Sequence, residues 1–351
     1  MHIGIPKEIK ISEGRVSLTP EACSSLVKAG HKVFLEQNAG NCSGYPDHMY
    51  ENVGVQICPD AKTLYECARL VVKVKEPIDE DLQYLRADHL LFCYLHLAAE
   101  QKLLGQLQKS GLTAIGFETV QKEDGSLPLL LPMSVIAGRL AGQIGMNLLH
   151  ATEGGKGLLL GGMATTQRGH AVILGAGNAG AQAIDVVASI GANVTVFDLD
   201  AGKLAALHDH YPNVTGMTPT HEHIRKAVAS ADLLIGAVLV PGRKAPVLVD
   251  ADMIATMEKG SVVIDIAIDQ GGCIETIRPT HWEAPTYLEM GVIHFGVTNM
   301  PGTVPRTSSQ ALSAAILPYV SELAAENWQN NSALLNGINV ENGKIIHPAL
   351  K

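Results

Sequence analysis

No stretch of the 351 residues gathers lysine and arginine into a patch. Basic residues number 26 against 35 acidic ones, a formal net charge of −9. A chain that neutralises phosphates needs the opposite balance, with its cations clustered. Nucleic acid is excluded as a partner on that ground. Long apolar runs are also missing: none approaches the roughly 18 residues of a membrane span, so no membrane contact is expected. Residues Met1 to Lys10 hold Lys7, Glu8 and Lys10 where a signal peptide would carry its apolar stretch. Cysteine motifs are absent too. Cys23, Cys42, Cys58, Cys67, Cys93 and Cys273 are scattered with no CxxC pair. That spacing argues against a zinc site or a disulfide framework and for reduced thiols in a cytoplasmic protein. No metal is expected, and no internal repeat, low-complexity tract or charge run occurs.

The chain does have a composition for folding: 46% hydrophobic and 17% charged residues, over a length that suits two domains. Short apolar stretches alternate with helical ones, the pattern of parallel α/β architecture. Strands are expected at His2–Pro6, Lys32–Glu36, Leu70–Val74, Leu90–Leu95 and Thr113–Phe117. Helices are expected between them at Thr19–Ala29 and Ala98–Lys109, the latter stopped by Gly111. A long helix over Ser134–His150 carries a stripe of small residues, Ala137, Gly138, Ala141, Gly142 and Gly145, for which tight packing is the plausible compensation. A second strand series follows at Ala171–Leu174, Val194–Phe197, Leu233–Val238, Val262–Ile266 and Val292–Val297. The tail Ser308–Asn327 reads as a helix returning to the first domain. One domain is thus expected at 1–130 plus 306–351, and another at 131–305.

The sharpest local motif is Gly175-Ala176-Gly177-Asn178-Ala179-Gly180. GxGxxG alone is weak, but here it follows an apolar strand, opens the helix Ala179–Ile190, and is completed by Gly191 and a second strand ending at Asp198. Gly175 permits the tight turn, Gly177 the approach of backbone to a pyrophosphate, and Gly180 close helix–strand packing. The helix N-terminus offers free N–H groups to phosphate. Asp198 suits the ribose hydroxyls and repels a 2′-phosphate, and no arginine stands beside it, so NAD is favoured over NADP. The alternative is a glycine turn that only packs. The expected fold is α/β with two domains, a Rossmann dinucleotide-binding domain and a Rossmann-like parallel α/β substrate domain, with a cleft between them.

Open parallel sheets bind ligands outside the carboxyl ends of their strands. Arg15 lies in the connection after the first strand, Lys75 follows Leu70–Val74, and His96 follows Leu90–Leu95; Asp269 and Asn299 follow strands of the second series. Each has a structural explanation as well: Arg15 as a surface arginine, Lys75 as a solvated strand end, His96 as a satisfied helix-start histidine, Asp269 as a cap on Gly271-Gly272. Convergence at strand ends favours function without settling the chemistry.

At these residues the chain resembles the alanine dehydrogenase family, which also includes the NAD-binding component of proton-translocating transhydrogenases. The resemblance is carried by Gly4-Ile5-Pro6-Lys7-Glu8 with Arg15, Val74-Lys75-Glu76-Pro77, Leu95-His96-Leu97-Ala98, Glu118-Thr119-Val120-Gln121 and Pro132-Met133-Ser134. It continues through the Gly175–Gly180 loop, the stretch from Gly236 to Gly242, the stretch from Val263 to Gly272, and Asn299-Met300-Pro301. The resemblance implies NAD-dependent, reversible deamination of L-alanine to pyruvate and ammonium. It implies that Arg15 binds the substrate carboxylate, that Lys75 polarises the carbonyl or imine region, and that His96 and Asp269 do acid/base work. Ser134, Gly175, Gly177, Asn178, Ala179, Gly180, Asp198, Lys203, Val238, Leu239, Asn299 and Met300 would line the cofactor site. A homo-oligomer, most often a hexamer, is implied. The chain departs from the family in Val135, where many relatives carry Glu, and in ending at Lys351, where relatives commonly continue through another helix.

The residue types suit those roles. Guanidinium grips a carboxylate bidentately, an ammonium steadies a developing oxygen as a point charge, and imidazole moves protons near neutral pH. Asp269 orients the amine or holds a productive histidine state. The alternatives are a sister enzyme making N-(1-carboxyethyl) amino acids from pyruvate and another amine, a transhydrogenase subunit, and a non-catalytic NAD-binding protein. The second is disfavoured by the missing membrane segment, the third by intact Lys75, His96 and Asp269.

Overall fold

Runs of Val, Ile and Leu buried on both faces make parallel sheets, because crossover helices cover each side. The computed structural model describes residues 1–238, 245–325 and 327–351, with only the backbone of 269 and 270. It divides into two units, Met1–Met133 with Pro301–Lys351, and Ser134–Met300.

The first unit opens with β1 (His2–Ile5), β2 (Lys32–Glu36), β3 (Gln56–Cys58), β4 (Leu70–Val72), β5 (Leu90–Cys93) and β6 (Thr113–Gly116). These pair parallel in the order β3-β2-β1-β4-β5-β6. Leu70, Val71 and Val72 are wholly buried. The winding direction reverses between β1 and β4, and the crevice outside the carboxyl ends of strands at such a point is where these sheets take ligands. β4 and β5 stop at Val72 and Cys93, two residues short of the expected Val74 and Leu95. Lys73 N still donates to Phe92 O, and Tyr94 N to Val74 O, each at 3.1 Å. The two segments therefore leave the sheet side by side, carrying Lys75 and His96.

The second unit holds β7 (His170–Leu174), β8 (Asn193–Phe197), β9 (Val214–Met217), β10 (Leu233–Gly236), β11 (Val262–Asp265), β12 (Thr286–Glu289) and β13 (Val292–Phe295). Its parallel strands run β9-β8-β7-β10-β11-β13, with the reversal between β7 and β10, and β12 lies antiparallel on the edge. The chain then returns to the first unit, where β14 (Ile338–Glu341) pairs antiparallel with β6, and β15 (Lys344–Ile345) with β14. The sheets are parallel at their centres, as the sequence leads one to expect, and antiparallel at one edge. β3, β9, β12, β14 and β15 were not among the expected strands. They are short, and Thr286–Glu289 has no buried residue, so no apolar run marks them and a neighbouring strand decides their pairing.

The helix expected from Ser134 begins earlier, at Leu131, and ends at Leu148. Pro132 falls in its first turn, where a missing N–H breaks no helical bond. The small-residue stripe does pack tightly. A Cβ on Gly142 would meet Val186 Cγ1 at 2.7 Å, one on Gly145 would meet Leu233 Cδ1 at 2.6 Å, and one on Gly138 would overlap the Ala179 carbonyl. The C-terminal helix is Pro305–Leu323 rather than Ser308–Asn327. Its buried Ser309 and Ser313 hydroxyls accept hydrogen bonds from Val16 N at 2.9 Å and Thr19 N at 3.0 Å. Those bonds fasten the segment that carries Arg15. Among the described residues, no helix is long and apolar enough to cross a membrane.

Candidate functional site

In the second unit the glycine loop connects β7 to the helix Asn178–Ser189. Its three glycines are there for different reasons. Gly175 has φ of 95°, and a Cβ on it would meet Ala237 O at 2.8 Å. A Cβ on Gly180 would overlap the Gly175 carbonyl. Gly177, at φ −72° and ψ −167°, has backbone that any residue adopts, and a Cβ there would meet nothing within 4 Å. Neither conformation nor packing demands this glycine, so the open space above it fits a group that must approach the backbone closely, as a pyrophosphate does. Asn178 and Ala179 open the helix beneath it, presenting N–H groups that no earlier turn satisfies.

Asp198, half-buried at the end of β8, already holds the loop: it accepts from Ala176 N at 2.7 Å and from Asp200 N at 2.9 Å. Lys203 is exposed on the helix Ala201–His210, which Asp200 caps by accepting from Gly202 N at 2.9 Å and Lys203 N at 3.2 Å. Val238 follows β10 and packs partly buried against the core. Ser134 is half-buried in the helix Leu131–Leu148, and Asn299, with φ of 57°, precedes buried Met300. Leu239 and the side chain of Asp269 lie outside the described residues; the Asp269 backbone belongs to the 3-10 turn Ile266–Gln270. Sequence reasoning missed Asp265, which is 1% exposed and accepts from Ala267 N at 2.9 Å, Cys273 N at 2.7 Å and Ile274 N at 3.2 Å. Burial pushes its pKa up against those bonds. It fixes the turn that carries Asp269.

In the first unit Arg15 is no surface arginine: it is 2% exposed. Its Nε and Nη2 donate to the two carboxylate oxygens of Glu13 at 2.6 and 2.5 Å, and Nη1 lies 3.1 Å from Met133 Sδ. Burial alone would lower its pKa, but Glu13 outweighs burial and holds it above the usual value. The Arg15 charge also acts on the buried Tyr94 hydroxyl. Lys75 is half-buried beyond β4. The backbone leading to it is clamped, because Val74 N donates to Glu8 Oε1 at 2.7 Å. Buried Lys73 stands 3.5 Å from Glu8 and 3.1 Å from Asp81. His96 is exposed beyond β5, with φ of 49°. Its ring stacks on Tyr94, with centroids 5.8 Å apart and planes 9° from parallel.

Arg15, Lys75 and His96 thus follow three neighbouring strands, β1, β4 and β5. Glu13, Glu8, Tyr94 and Glu118 were not singled out as site residues from sequence. Lys7-Glu8 and Glu118-Thr119 stand in stretches shared with the family, but which atoms they hold depends on adjacent strands. Among the described residues, no group of three His, Cys, Asp or Glu side chains is placed to hold a metal ion.

Residues 4–137 match the model for the alanine dehydrogenase/PNT N-terminal domain, and residues 141–348 that for the C-terminal domain. An alanine dehydrogenase of Methanococcus maripaludis is 45% identical over 356 aligned positions, covering 100% of this chain and 95% of the relative. One of Bacillus subtilis is 45% identical, covering 100% and 94%. A solved structure of an L-alanine dehydrogenase superposes with a TM-score of 0.97 at 47% identity, over 100% of this chain and 98% of that one. A transhydrogenase structure from Sinorhizobium meliloti shares the fold, with a TM-score of 0.86 at 23% identity over 99% and 100%. Matched by both domain models and by full-length relatives, the chain belongs to the alanine dehydrogenase/PNT family.

Proposed function

We propose that this chain is an NAD-dependent L-alanine dehydrogenase. L-Alanine, NAD⁺ and water give pyruvate, ammonium, NADH and a proton, and the reaction runs in both directions. The observation that carries the reading is the joint presence of buried Arg15 with Lys75 and His96 in the segments that follow neighbouring strands, in a chain 45% identical along its full length to proteins named alanine dehydrogenase. A pyridine nucleotide is the cofactor that family and glycine loop call for. The choice of NAD rests on Asp198, a carboxylate at the end of β8 with no arginine beside it.

When bound, the nicotinamide supplies a hydride acceptor for the substrate α-carbon. This chain's own residues bind the substrate and manage charge and protons. Arg15, its plane fixed by Glu13, binds the substrate carboxylate. Lys75 steadies the oxygen that develops as water adds to the iminium. His96 moves the proton between that water and the intermediate, and Asp269 orients the amine or the imidazole. We assign substrate binding to the unit Met1–Met133 with Pro301–Lys351. The unit Ser134–Met300 is assigned NAD binding, with Ser134, Lys203, Val238, Leu239, Asn299 and Met300 as further cofactor contacts. The reading extends to a cytoplasmic homohexamer: the resemblance supports the hexamer, and six cysteines scattered without a CxxC pair support the compartment.

The test is NADH formation with L-alanine at alkaline pH, and NADH oxidation with pyruvate and ammonium against pyruvate with primary amines or amino acids. Alanine-dependent NADH formation is expected, with ammonium the preferred amine. No turnover with alanine, or a preference for an amino acid as amine, overturns the assignment. Sedimentation checks the hexamer.

A further inference from the structure

We infer that Glu118 is the positioning residue for His96, an inference that rests on the reading of His96 as the proton-transfer group. His96 holds φ of 49°, in the left-handed region that a residue other than glycine seldom takes. Such a conformation persists only where the surroundings over-determine it. Glu118 does so here. Its Oε1 accepts from His96 N at 2.6 Å and from Leu95 N at 3.1 Å, and its Oε2 lies 3.2 Å from the same Leu95 N. Two successive N–H groups turned to one oxygen form an anion-binding concavity. A carboxylate in it makes charge-assisted bonds, roughly twice as strong as neutral ones. The imidazole plane is set separately, by stacking on Tyr94, whose hydroxyl donates to Leu129 O at 2.6 Å.

The sheet explains how Glu118 reaches a neighbouring strand's exit. β6 lies beside β5 with Gly116 opposite Cys93, and the turn Phe117–Thr119 follows at once. A Cβ on Gly116 would stand 3.3 Å from Glu118 Cδ, 2.8 Å from Thr119 Oγ1 and 2.9 Å from Asn339 Nδ2. Glycine leaves that passage open. The turn is braced from the C-terminal segment: Thr119 Oγ1 donates to Gly337 O at 3.0 Å, and Asn339 Nδ2 donates to Thr119 Oγ1 at 2.6 Å. The antiparallel β14 thereby supports a turn whose carboxylate holds the His96 backbone. Glu118 acts on catalysis through the place of the imidazole.

The experiment compares Glu118→Ala, Glu118→Gln, His96→Ala and the double variant His96→Ala/Glu118→Ala in the full-length enzyme. Misplacing a catalytic group by about 1 Å costs on the order of 10²-fold, the loss in kcat expected for Glu118→Ala, with NAD affinity unchanged. Glutamine keeps an oxygen for both amides, so Glu118→Gln is expected to lose less, about tenfold or under. Formate, which fills the vacated concavity, is expected to restore part of the Glu118→Ala rate. In the His96→Ala background the Glu118 substitution is expected to add no further loss, because the two act as one unit. Additive losses, or Glu118→Gln as damaging as Glu118→Ala, overturn the proposal. His96→Ala with full turnover overturns the role of His96 instead. A crystal structure of Glu118→Ala decides the clamp without any assay: His96 is expected to leave the left-handed region, and His96 still near φ of 49° overturns the inference.

Discussion

Arg15 and Glu13 form a buried, two-pronged ion pair, with Nε and Nη2 at 2.6 and 2.5 Å from the two carboxylate oxygens and side-chain exposures of 2% and 0%. Removing one partner of such a pair strands a charge out of water, which costs about 3–5 kcal/mol. Glu13→Ala is therefore expected to lower stability by about that amount in urea unfolding. Arg15→Lys separates anchoring from folding. An ammonium cannot reproduce the fork, so KM for both alanine and pyruvate is expected to rise about 30-fold, the low end of the cost of truncating a buried charge pair. NADH affinity, measured by fluorescence titration, is expected to stay unchanged. Unaltered substrate KM with lost stability makes Arg15 structural and puts the carboxylate anchor elsewhere.

Gly177 and Gly180 separate a ligand's requirement from a fold's. Gly180→Ala drives a methyl into the Gly175 carbonyl, and overpacking of this kind typically costs about 1–3 kcal/mol. Gly177→Ala meets no protein atom within 4 Å, and its backbone suits alanine. It is expected to leave Tm unchanged or raise it slightly, since Gly→Ala at a compatible site stabilises by about 0.4–1 kcal/mol. NAD binding is expected to weaken at least about tenfold, or ~1.4 kcal/mol. Calorimetric titration beside thermal melts reads both. Undiminished NAD affinity in Gly177→Ala moves the pyrophosphate off this loop.

That loop shows how far local chemistry carries a sequence. Gly175, Gly180 and the strands around them are legible because a tight turn and a close packing contact each have a short-range cause. β14 is not, because Ile338–Glu341 enters the sheet by pairing with β6, more than two hundred residues earlier. The Leu131 helix start was missed because Pro132 reads as a break, although a first turn tolerates it. Arg15 was recognisable as an anchor type, but its burial was not, because the segment after it is held by Ser309 and Ser313 of the distant helix Pro305–Leu323. Glu118 and His96 stand 22 residues apart in sequence and meet only because β5 and β6 are neighbours.

Asp198 has two duties to disentangle. It follows β8, where the proposed function puts the ribose, and it accepts from Ala176 N and Asp200 N at 2.7 and 2.9 Å. If Asp198 repels a 2′-phosphate as proposed, Asp198→Ala is expected to raise the NADP-to-NAD ratio of kcat/KM. Two loop amides also lose their acceptor, at roughly 0.5–1.5 kcal/mol each, so NAD use is expected to fall in absolute terms. A lower NAD rate with an unchanged ratio leaves Asp198 as a loop brace that does not face the ribose.

His89 is expected to make the first unit sensitive to acid. It is 2% exposed. Its Nδ1 accepts from Arg86 N at 3.1 Å, which leaves Nε2–H to donate to Tyr65 O at 3.0 Å. Both bonds need the neutral ring, because a protonated Nδ1 has no lone pair for the Arg86 amide. Burial, helped by the Arg86 charge, pushes its pKa below the usual histidine value of 6.5. With the folded pKa depressed, the unfolded chain binds this proton more readily, so stability rises with pH through that window and falls on acidification. The loss begins near pH 6.5, where the unfolded histidine titrates, and stops growing below the depressed folded value. His294, buried in the second unit and depressed by burial, adds the same sign there. The urea midpoint is expected to drop between pH 7 and 5, and His89→Gln, which has no proton to gain, is expected to flatten part of that slope. An equal slope in wild type and variant places the acid sensitivity in other groups.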